Sequence, residues 1–246
     1  NDGFRDFMKP YVQGKGDSDG VIHYLQGTPN KSYFRPYQSI NYLESHDDRC
    51  FIDSITENPN HDGTNPTPND VRRARLAMAT MFMAHGVPML AAGQDFLRSK
   101  SGIQNTYQRG DLNVLDYDRL DRFRDLHDYC RKWIAFRLST DGILIRLTEY
   151  PSESFWREYR PVDRQSSAAG LLLNADSSMT GPQLLFAINP EETEAKLPIT
   201  AGSCGNALLI ADAERFDLKG LRDDFLKLSR KQIVLPPLQL ALWRME

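Results

Sequence analysis

The residues best suited to chemistry are His46 and Asp47, which stand side by side after a short apolar run. An imidazole and a carboxylate in this arrangement can bind hydroxyl groups and stabilise a developing positive charge. The pair is also compatible with a structural role, in which His46 caps a loop and Asp47 accepts backbone amides. A metal site that also drew on Asp48, His61 and Asp62 would lack a recognised ligand spacing.

A second polar cluster follows the apolar run at 87–92. It combines amide, charged and aromatic side chains, namely Gln94, Asp95, Arg98, Lys100, Asn105, Tyr107, Arg109, Asp111, Asn113, Asp116 and Tyr117. Amides and charges can form paired hydrogen bonds with hydroxyls, and aromatic rings can cover C–H faces, so this mixture favours a neutral polyhydroxylated ligand. The alternative is a solvated loop with its own internal bonds, but a loop of about 25 residues is uncommon unless it is functional or disordered.

Two parallel strands would bring these clusters together. The apolar runs at 37–43 and 87–92 predict buried strands. A helix is expected between them, beginning near Asn69 or Asp70 and stopping at Gly86. Strand, crossover helix and strand form a βαβ unit, whose strands are parallel and buried on both faces. Chemistry gathers beyond the carboxyl ends of such strands, both in a (β/α)8 barrel and in a doubly wound sheet.

The character of the sequence changes near residue 140. A further helix is expected over 119–138, and short β-rich runs separated by Gly, Pro and Asn follow it. These runs predict strands at 143–149, 155–160, 169–174, 183–189, 195–199, 206–211, 231–235 and 239–244. Their spacing favours an antiparallel sandwich. The predicted fold class is therefore α/β over residues 1–140 and all-β over residues 141–246.

Composition excludes several classes of partner. The 246 residues carry 30 Lys and Arg against 33 Asp and Glu, and no polybasic run occurs, which argues against nucleic acid and a membrane surface as partners. No run approaches the roughly 18 apolar residues of a membrane-spanning helix. Cys50, Cys130 and Cys204 form neither a zinc spacing nor a disulfide framework. The start at Asn1, without a signal-peptide pattern, suggests an excised or processed piece and leaves the compartment open.

Several segments resemble the α-amylase superfamily of glycoside hydrolases in a consistent order. Ile40–Asp47 (INYLESHD) resembles the fourth signature region at barrel strand seven. Gly86–Lys100 resembles strand eight and its exit, and Asn105–Tyr107 with Gly110–Tyr117 resembles the loop that follows in pullulanase-type enzymes. Asn1–Asp6 is similar to the segment just past strand five. The whole chain resembles the C-terminal half of a pullulanase- or isoamylase-type glycogen debranching enzyme.

The resemblance implies a fold and a reaction. Residues 1–140 would be the C-terminal part of a (β/α)8 TIM barrel, from the region of strands six to eight, and residues 141–246 a C-terminal β-sandwich domain. The reaction implied is retaining hydrolysis of α-1,6 branch linkages in α-glucans such as pullulan, glycogen and starch, in which one carboxylate attacks the anomeric carbon and another protonates the leaving oxygen. No metal and no cofactor are implied.

Within that reaction, Asp47 would be the third carboxylate, which stabilises the oxocarbenium-like transition state. His46 would bond to the same sugar. The substrate-binding side chains expected at the site are His46, Arg98, Asn105, Tyr107, Asn113, Asp116 and Tyr117. Asp48, Gly3 and Asp95 stand where the family often has Asn, Arg and Glu.

The family's nucleophile and acid/base lie on strands four and five, which would precede Asn1. We therefore expect no glycosidase activity from this chain by itself. Barrel strands without neighbours would expose edges and apolar surface, so the partners expected are an α-glucan and either the missing barrel half or a second copy, with part of residues 1–140 otherwise mobile. The alternative function is a non-catalytic glucan-binding or structural module that uses Trp156, Tyr159 or Trp243 as stacking platforms.

Overall fold

The computed structural model describes residues 1–28, 33–199, 206–222, 226–229 and 231–245. In this part of the chain, helices dominate the first half and antiparallel strands the second. The α-helices are α1 (Asp2–Pro10), α2 (Ser18–Leu25), α3 (Phe51–Ile55), α4 (Pro68–Met83), α5 (Gly110–Asn113), α6 (Asp118–Arg122) and α7 (Arg124–Leu138). The strands are β1 (Ile40–Tyr42), β2 (Val87–Met89), β3 (Trp156–Tyr159), β4 (Ala169–Leu173), β5 (Gln183–Asn189), β6 (Ala195–Pro198), β7 (Ala207–Asp212), β8 (Lys227–Leu228), β9 (Gln232–Leu235) and β10 (Gln239–Met245).

Strands β1 and β2 pair in parallel, with Ile40 opposite Val87 and Tyr42 opposite Met89. The parallel pairing across a helical connection is confirmed, but each strand has only three residues. The expected burial on both faces is wrong, because Val87 and Met89 are 44% and 40% exposed. Within the described residues, this sheet contains β1 and β2 alone and does not close into a barrel.

Helix α4 forms the centre of the first half and is buried along most of its length. Thr67 caps it: the Asp70 N–H donates to Thr67 Oγ1 at 3.1 Å, and the Thr67 N–H donates to Asp70 Oδ2 at 2.9 Å. This reciprocal pair, followed by Pro68 at the first helical position, fixes the start of the helix close to the predicted place. The helix ends at Met83, three residues before Gly86, where the sequence predicted its stop.

Arg137 of α7 explains where α4 ends. Its Nη1 donates to the carbonyls of Phe82 and Ala84, the latter at 3.1 Å, and its Nη2 donates to those of Gly86 at 2.5 Å and Ile145 at 3.2 Å. The side chain thus satisfies carbonyls that a helix leaves without partners at its carboxyl end. Burial lowers the pKa of this guanidinium to about 10, so it stays charged at neutral pH.

The helix predicted over 119–138 is interrupted at Phe123, between α6 and α7.

The second half contains two antiparallel sheets. The order is β3-β4-β5-β10-β7 in one and β6-β9-β8 in the other. Along β10, Leu240 and Leu242 face the core that is shared with the helices, whereas Ala241 and Trp243 face a second apolar cluster, as the alternation of a strand requires. That second cluster draws on both sheets, which therefore pack face to face.

Most strands predicted beyond residue 150 are confirmed, since β3 to β7, β9 and β10 lie within about a residue of the predicted bounds. The strand predicted at 143–149 is wrong, because residues Asp141–Ile145 form a 3-10 helix. A Cβ on Gly142 would lie 2.3 Å from the Phe136 carbonyl oxygen, so the chain turns tightly against the end of α7 there. Helices α1 to α3 and α5 and strand β8 were not predicted.

Two of the three aromatic platforms of the alternative function are buried. Tyr159 and Trp243 are 6% and 3% exposed and belong to the second apolar cluster. Trp156 is half-buried, and its Nε1–H donates to Nε2 of His85 at 3.3 Å. Burial lowers the pKa of His85 to about 3, so this imidazole is a neutral acceptor.

In the described segments, no helix has the length and apolar character needed to cross a membrane.

Candidate functional site

The candidate site is the loop between β1 and α3, with the charged residues of α1 beside it. Arg5 on α1 donates from Nη1 to the Tyr42 hydroxyl at 3.2 Å, and the Tyr42 hydroxyl donates to Asp2. The same guanidinium pairs with Asp6 at 2.7 Å and lies 4.0 Å from Asp48. The adjacent acids raise the pKa of Arg5, and α1 therefore presents a fixed positive charge to the loop.

His46 and Asp47 lie at the tip of this loop. Nε2 of His46 is 3.4 Å from Oδ2 of Asp47, and the two side chains are 89% and 66% exposed. The pair that the sequence singled out is therefore formed and open to solvent. An exposed imidazole and carboxylate can contact hydroxyl groups of a ligand without first leaving a buried position.

Glu44, which was not selected from the sequence, links the two ends of the candidate loop. It is 3% exposed, and its Oε2 accepts the backbone N–H of Phe51 at the start of α3. Burial raises its pKa to about 7, although the charges of Arg98 and Lys100 act in the opposite direction. The carboxyl thus connects the segment after β1 to the beginning of α3. His46 and Asp47 lie in the loop between these two points.

Asp53, on α3 directly after the candidate loop, binds two further loops. The side chain is fully buried, and its Oδ1 accepts the Gly63 N–H at 2.8 Å and the Ser99 hydroxyl at 2.6 Å. Its Oδ2 accepts the Lys100 N–H at 2.8 Å. A single carboxylate on α3 therefore binds two segments of irregular backbone, at Gly63 and at Ser99 and Lys100, and charge-assisted bonds of this kind are stronger than neutral ones.

Arg119 also connects two loops, but as a positively charged donor to backbone carbonyls. Its Nε donates to the Leu97 carbonyl at 2.9 Å, its Nη1 to that of Thr64 at 2.7 Å and its Nη2 to that of Gly63 at 3.2 Å. Leu97 has a φ of 57°, a conformation that a branched residue keeps only under constraint. The loop after β2 is thereby fixed to the loop that precedes α4.

Several side chains of the second polar cluster form hydrogen bonds within their own loop. Asn113 donates from Nδ2 to the Thr106 carbonyl at 2.6 Å, and its Oδ1 accepts from Arg98 Nη2 at 3.2 Å. Asp116 accepts the Asp118 N–H at 3.0 Å, at the start of α6. These bonds order part of the loop, and the side chains of Asn113 and Asp116 remain exposed, so their contact with a ligand stays a prediction.

Three other predicted ligand-binding residues behave differently. Asn105 reaches the candidate loop, where its Oδ1 accepts the Asp48 N–H at 3.2 Å. Tyr107 and Tyr117 are 81% and 64% exposed, so their rings are accessible, and the ring centroid of Tyr117 is 5.9 Å from that of Phe96. In the described part of the chain, no group of three or more His, Cys, Asp or Glu side chains is arranged to hold a metal ion.

No protein-family model matches this chain. Among curated proteins, the pullulanase of Bacillus subtilis (strain 168) is 35% identical over 165 residues, which covers 59% of this chain and 22% of that protein. Isoamylase 1, chloroplastic, of Arabidopsis thaliana is 26% identical over 185 residues, which covers 62% of this chain and 23% of that protein. The chain therefore spans less than a quarter of the length of these relatives.

Solved structures of similar fold cover the whole chain. The pullulanase from Bacillus acidopullulyticus matches with a TM-score of 0.83 and 21% identity, over 100% of this chain and 30% of that one. The catalytic module of the glycogen-degrading pneumococcal virulence factor SpuA, in complex with an inhibitor, matches with a TM-score of 0.82 and 19% identity, over 100% of this chain and 43% of that one. Pullulanase type I from Bacillus subtilis str. 168, complexed with maltose, matches with a TM-score of 0.77 and 22% identity, over 100% of this chain and 35% of that one.

Proposed function

Because this chain is homologous to debranching enzymes of the pullulanase and isoamylase type, in the α-amylase superfamily, we propose that it forms part of the active site of a retaining hydrolase that cleaves α-1,6 branch linkages in α-glucans. The sequence relatives support the family. The observation that carries the proposal to a site is the exposed His46–Asp47 pair at the carboxyl end of a strand in a parallel sheet.

We further propose that residues 1–140 are the closing part of a (β/α)8 barrel and that residues 141–246 are its C-terminal β-sandwich domain. The parallel β1–β2 pair with α4 packed beside it supports the first assignment, and the two facing antiparallel sheets support the second. The half-exposed residues of β2 are consistent with a sheet that continues in protein outside these residues.

In this proposal, Asp47 is the fixed anion that stabilises the oxocarbenium-like centre, and His46 bonds to hydroxyls of the same sugar. Arg98, Tyr107 and Tyr117 extend the surface for further glucose units. Asn105, Asn113 and Asp116 act through the backbone contacts described above. Maltose in the Bacillus subtilis pullulanase and maltotetraose in that of Anoxybacillus sp. LM18-11 support a glucose oligomer as the ligand.

The proposal assigns the nucleophile and the general acid to protein outside these residues, so the chain alone should release no reducing sugar from pullulan. The experiment is a chimera in which this chain replaces the aligned carboxyl-terminal region of the Bacillus subtilis pullulanase. Asp47→Asn in the chimera should lower kcat by about 100-fold or more. Asp121→Asn, an exposed acid on α6, is the matched control. Near-full activity of the Asp47 variant would refute the role.

The alternative, a non-catalytic glucan-binding module in the sheet region, would have to use Trp156, because Tyr159 and Trp243 are buried. Titration of the chain with maltotetraose separates the two functions. Binding that persists in Asp47→Asn and disappears on substitution of Trp156 would favour the module.

A further inference from the structure

We propose that Lys100 is a positioning residue for Asp47, acting through the backbone of Asp48. In this inference Lys100 holds the loop of residues 45–49 in the conformation that presents the Asp47 carboxylate. It rests on the proposed function only for the importance of Asp47. The contact that it invokes can be measured in the chain itself, without any enzymatic activity.

The conformation of Asp48 is the first observation. Its φ is 58°, in the left-handed region, where side chains other than glycine are uncommon. Such a conformation persists when neighbouring groups hold it. Two groups do so here: the Asp48 N–H donates to Asn105 Oδ1 at 3.2 Å, and the Asp48 carbonyl accepts from Lys100 Nζ at 3.0 Å.

Lys100 is itself fixed. The residue is 4% exposed, and its backbone N–H donates to Oδ2 of the fully buried Asp53. A buried ammonium that donates to a carbonyl cannot move away from its partner without losing a charge-assisted bond in a poorly solvated place. Because Lys100 is buried, its ammonium does not contact a bound sugar directly. Its effect on the sugar would pass through the Asp48 backbone to the Asp47 carboxylate.

A third contact joins the same two segments. Arg49 donates from Nε to the Gly102 carbonyl at 2.8 Å. The chain on the carboxyl side of Asp47 is therefore held by a short segment that follows β2, at Asp48 through its backbone and at Arg49 through its side chain. Glu44 holds the other end of the loop through Phe51. A change at Lys100 should release Asp48 first, and Asp47 with it, while Glu44 keeps its contact.

The experiment measures amide exchange by NMR in the isotopically labelled chain. In Lys100→Met, the amide of Asp48, which donates to Asn105 Oδ1, should exchange about tenfold faster or more, whereas the amides of β10 should be unchanged. Lys132→Met, at an exposed position on α7, is the control and should leave the loop unaffected. Lys100→Arg, which keeps the cation, should recover part of the protection. Equal loop exchange in Lys100→Met and Lys132→Met would overturn the inference.

A suppressor distinguishes positioning from general destabilisation. Glycine adopts positive φ at little cost, so Asp48→Gly in the Lys100→Met background should restore slow exchange of the amide at position 48, which faces Asn105 Oδ1. No restoration would contradict an action through the Asp48 backbone. A measurement on the unaltered chain covers the case in which Lys100→Met does not fold: the Nζ protons of Lys100 should exchange slowly and show a nuclear Overhauser effect to the Arg49 amide. A freely exchanging ammonium would overturn the inference.

These results separate from those on the proposed function. Failure of the Lys100 experiments would leave the effect of Asp47→Asn on the chimera intact. Conversely, full activity of Asp47→Asn in the chimera would remove the role of Asp47 and leave the loop contacts of Lys100 unchanged.

Discussion

Nη1 of Arg137 donates to the carbonyl oxygen of Ala84 at 3.1 Å, and so α7 provides the partner for the end of α4. Arg137→Met should lower the free energy of unfolding by about 3 kcal/mol or more, because several buried carbonyls would lose their donor. Chemical denaturation monitored by circular dichroism measures the loss. Arg131→Met is the control on the same helix, where the side chain is 69% exposed and should change stability little. Equal midpoints for the two variants would contradict the role.

Asp53→Ala should destabilise the site loops by about 2–4 kcal/mol, since two backbone N–H groups, of Gly63 and Lys100, would be left without acceptors. Limited proteolysis should then cut within residues 57–67 and 99–105 before it cuts elsewhere. Asp128→Ala, an exposed acid on α7, serves as the control. If the cleavage pattern of Asp53→Ala matched that of the unaltered chain, Asp53 would not organise these loops.

Glu44 predicts a specific dependence of stability on pH. Burial raises its pKa from 4.5 to about 7, so between these values the folded chain binds a proton that the unfolded chain has released. Linkage then makes stability fall as pH rises through this window and level off above it. Glu44→Gln keeps an acceptor for Phe51 and removes the titration, so its melting temperature should fall less between pH 5 and pH 8 than that of the unaltered chain. Parallel curves would exclude Glu44 as the cause.

The exposed side chains of β2 predict self-association of the isolated chain. Val87 and Met89 present apolar surface beside an unpaired strand edge. Light scattering should show the average mass rising with concentration, and Met89→Lys should reduce the rise. Leu218→Lys, which changes an exposed leucine in the sheet region, should not. A monomer of the unaltered chain at all concentrations would contradict this prediction.

The proposed contact of Tyr107 with a glucan predicts a change in KM without a change in stability. In the active chimera, Tyr107→Ala should raise KM about fivefold, corresponding to about 1 kcal/mol for an aromatic contact, with stability unchanged. Tyr37→Ala, before the amino end of β1, removes another exposed ring, which is 45% accessible, and should leave KM unaltered. An unchanged KM in both variants would remove Tyr107 from the ligand surface.

The sequence was most informative where local pattern and tertiary packing agree. In β10, alternate residues face two apolar clusters, and the strand was predicted within a residue of its bounds. At 143–149 a similar apolar pattern misled, because Gly142 packs against the end of α7 and the chain turns. Helix α1 was missed because its start depends on Asn1, whose Oδ1 accepts the Phe4 N–H, and on a contact with the distant Tyr42.

The candidate site divides in the same way. His46 and Asp47 are adjacent in sequence, so their pairing could be predicted from residue type. The supporting roles of Glu44, Asp53 and Lys100 could not, because each depends on a backbone group brought near by folding. Lys100, for example, meets the carbonyl of Asp48 across 52 positions of sequence.

The position of β10 also has a consequence for synthesis. The last strand in the described residues lies inside its sheet, as the fourth of five strands, between β5 and β7. While the ribosome is still adding residues 239–245, the inner edges of both neighbours remain open, and Leu184, Phe186 and Ile210 lack the strand that covers them. The sheet can therefore be completed only after translation of this segment.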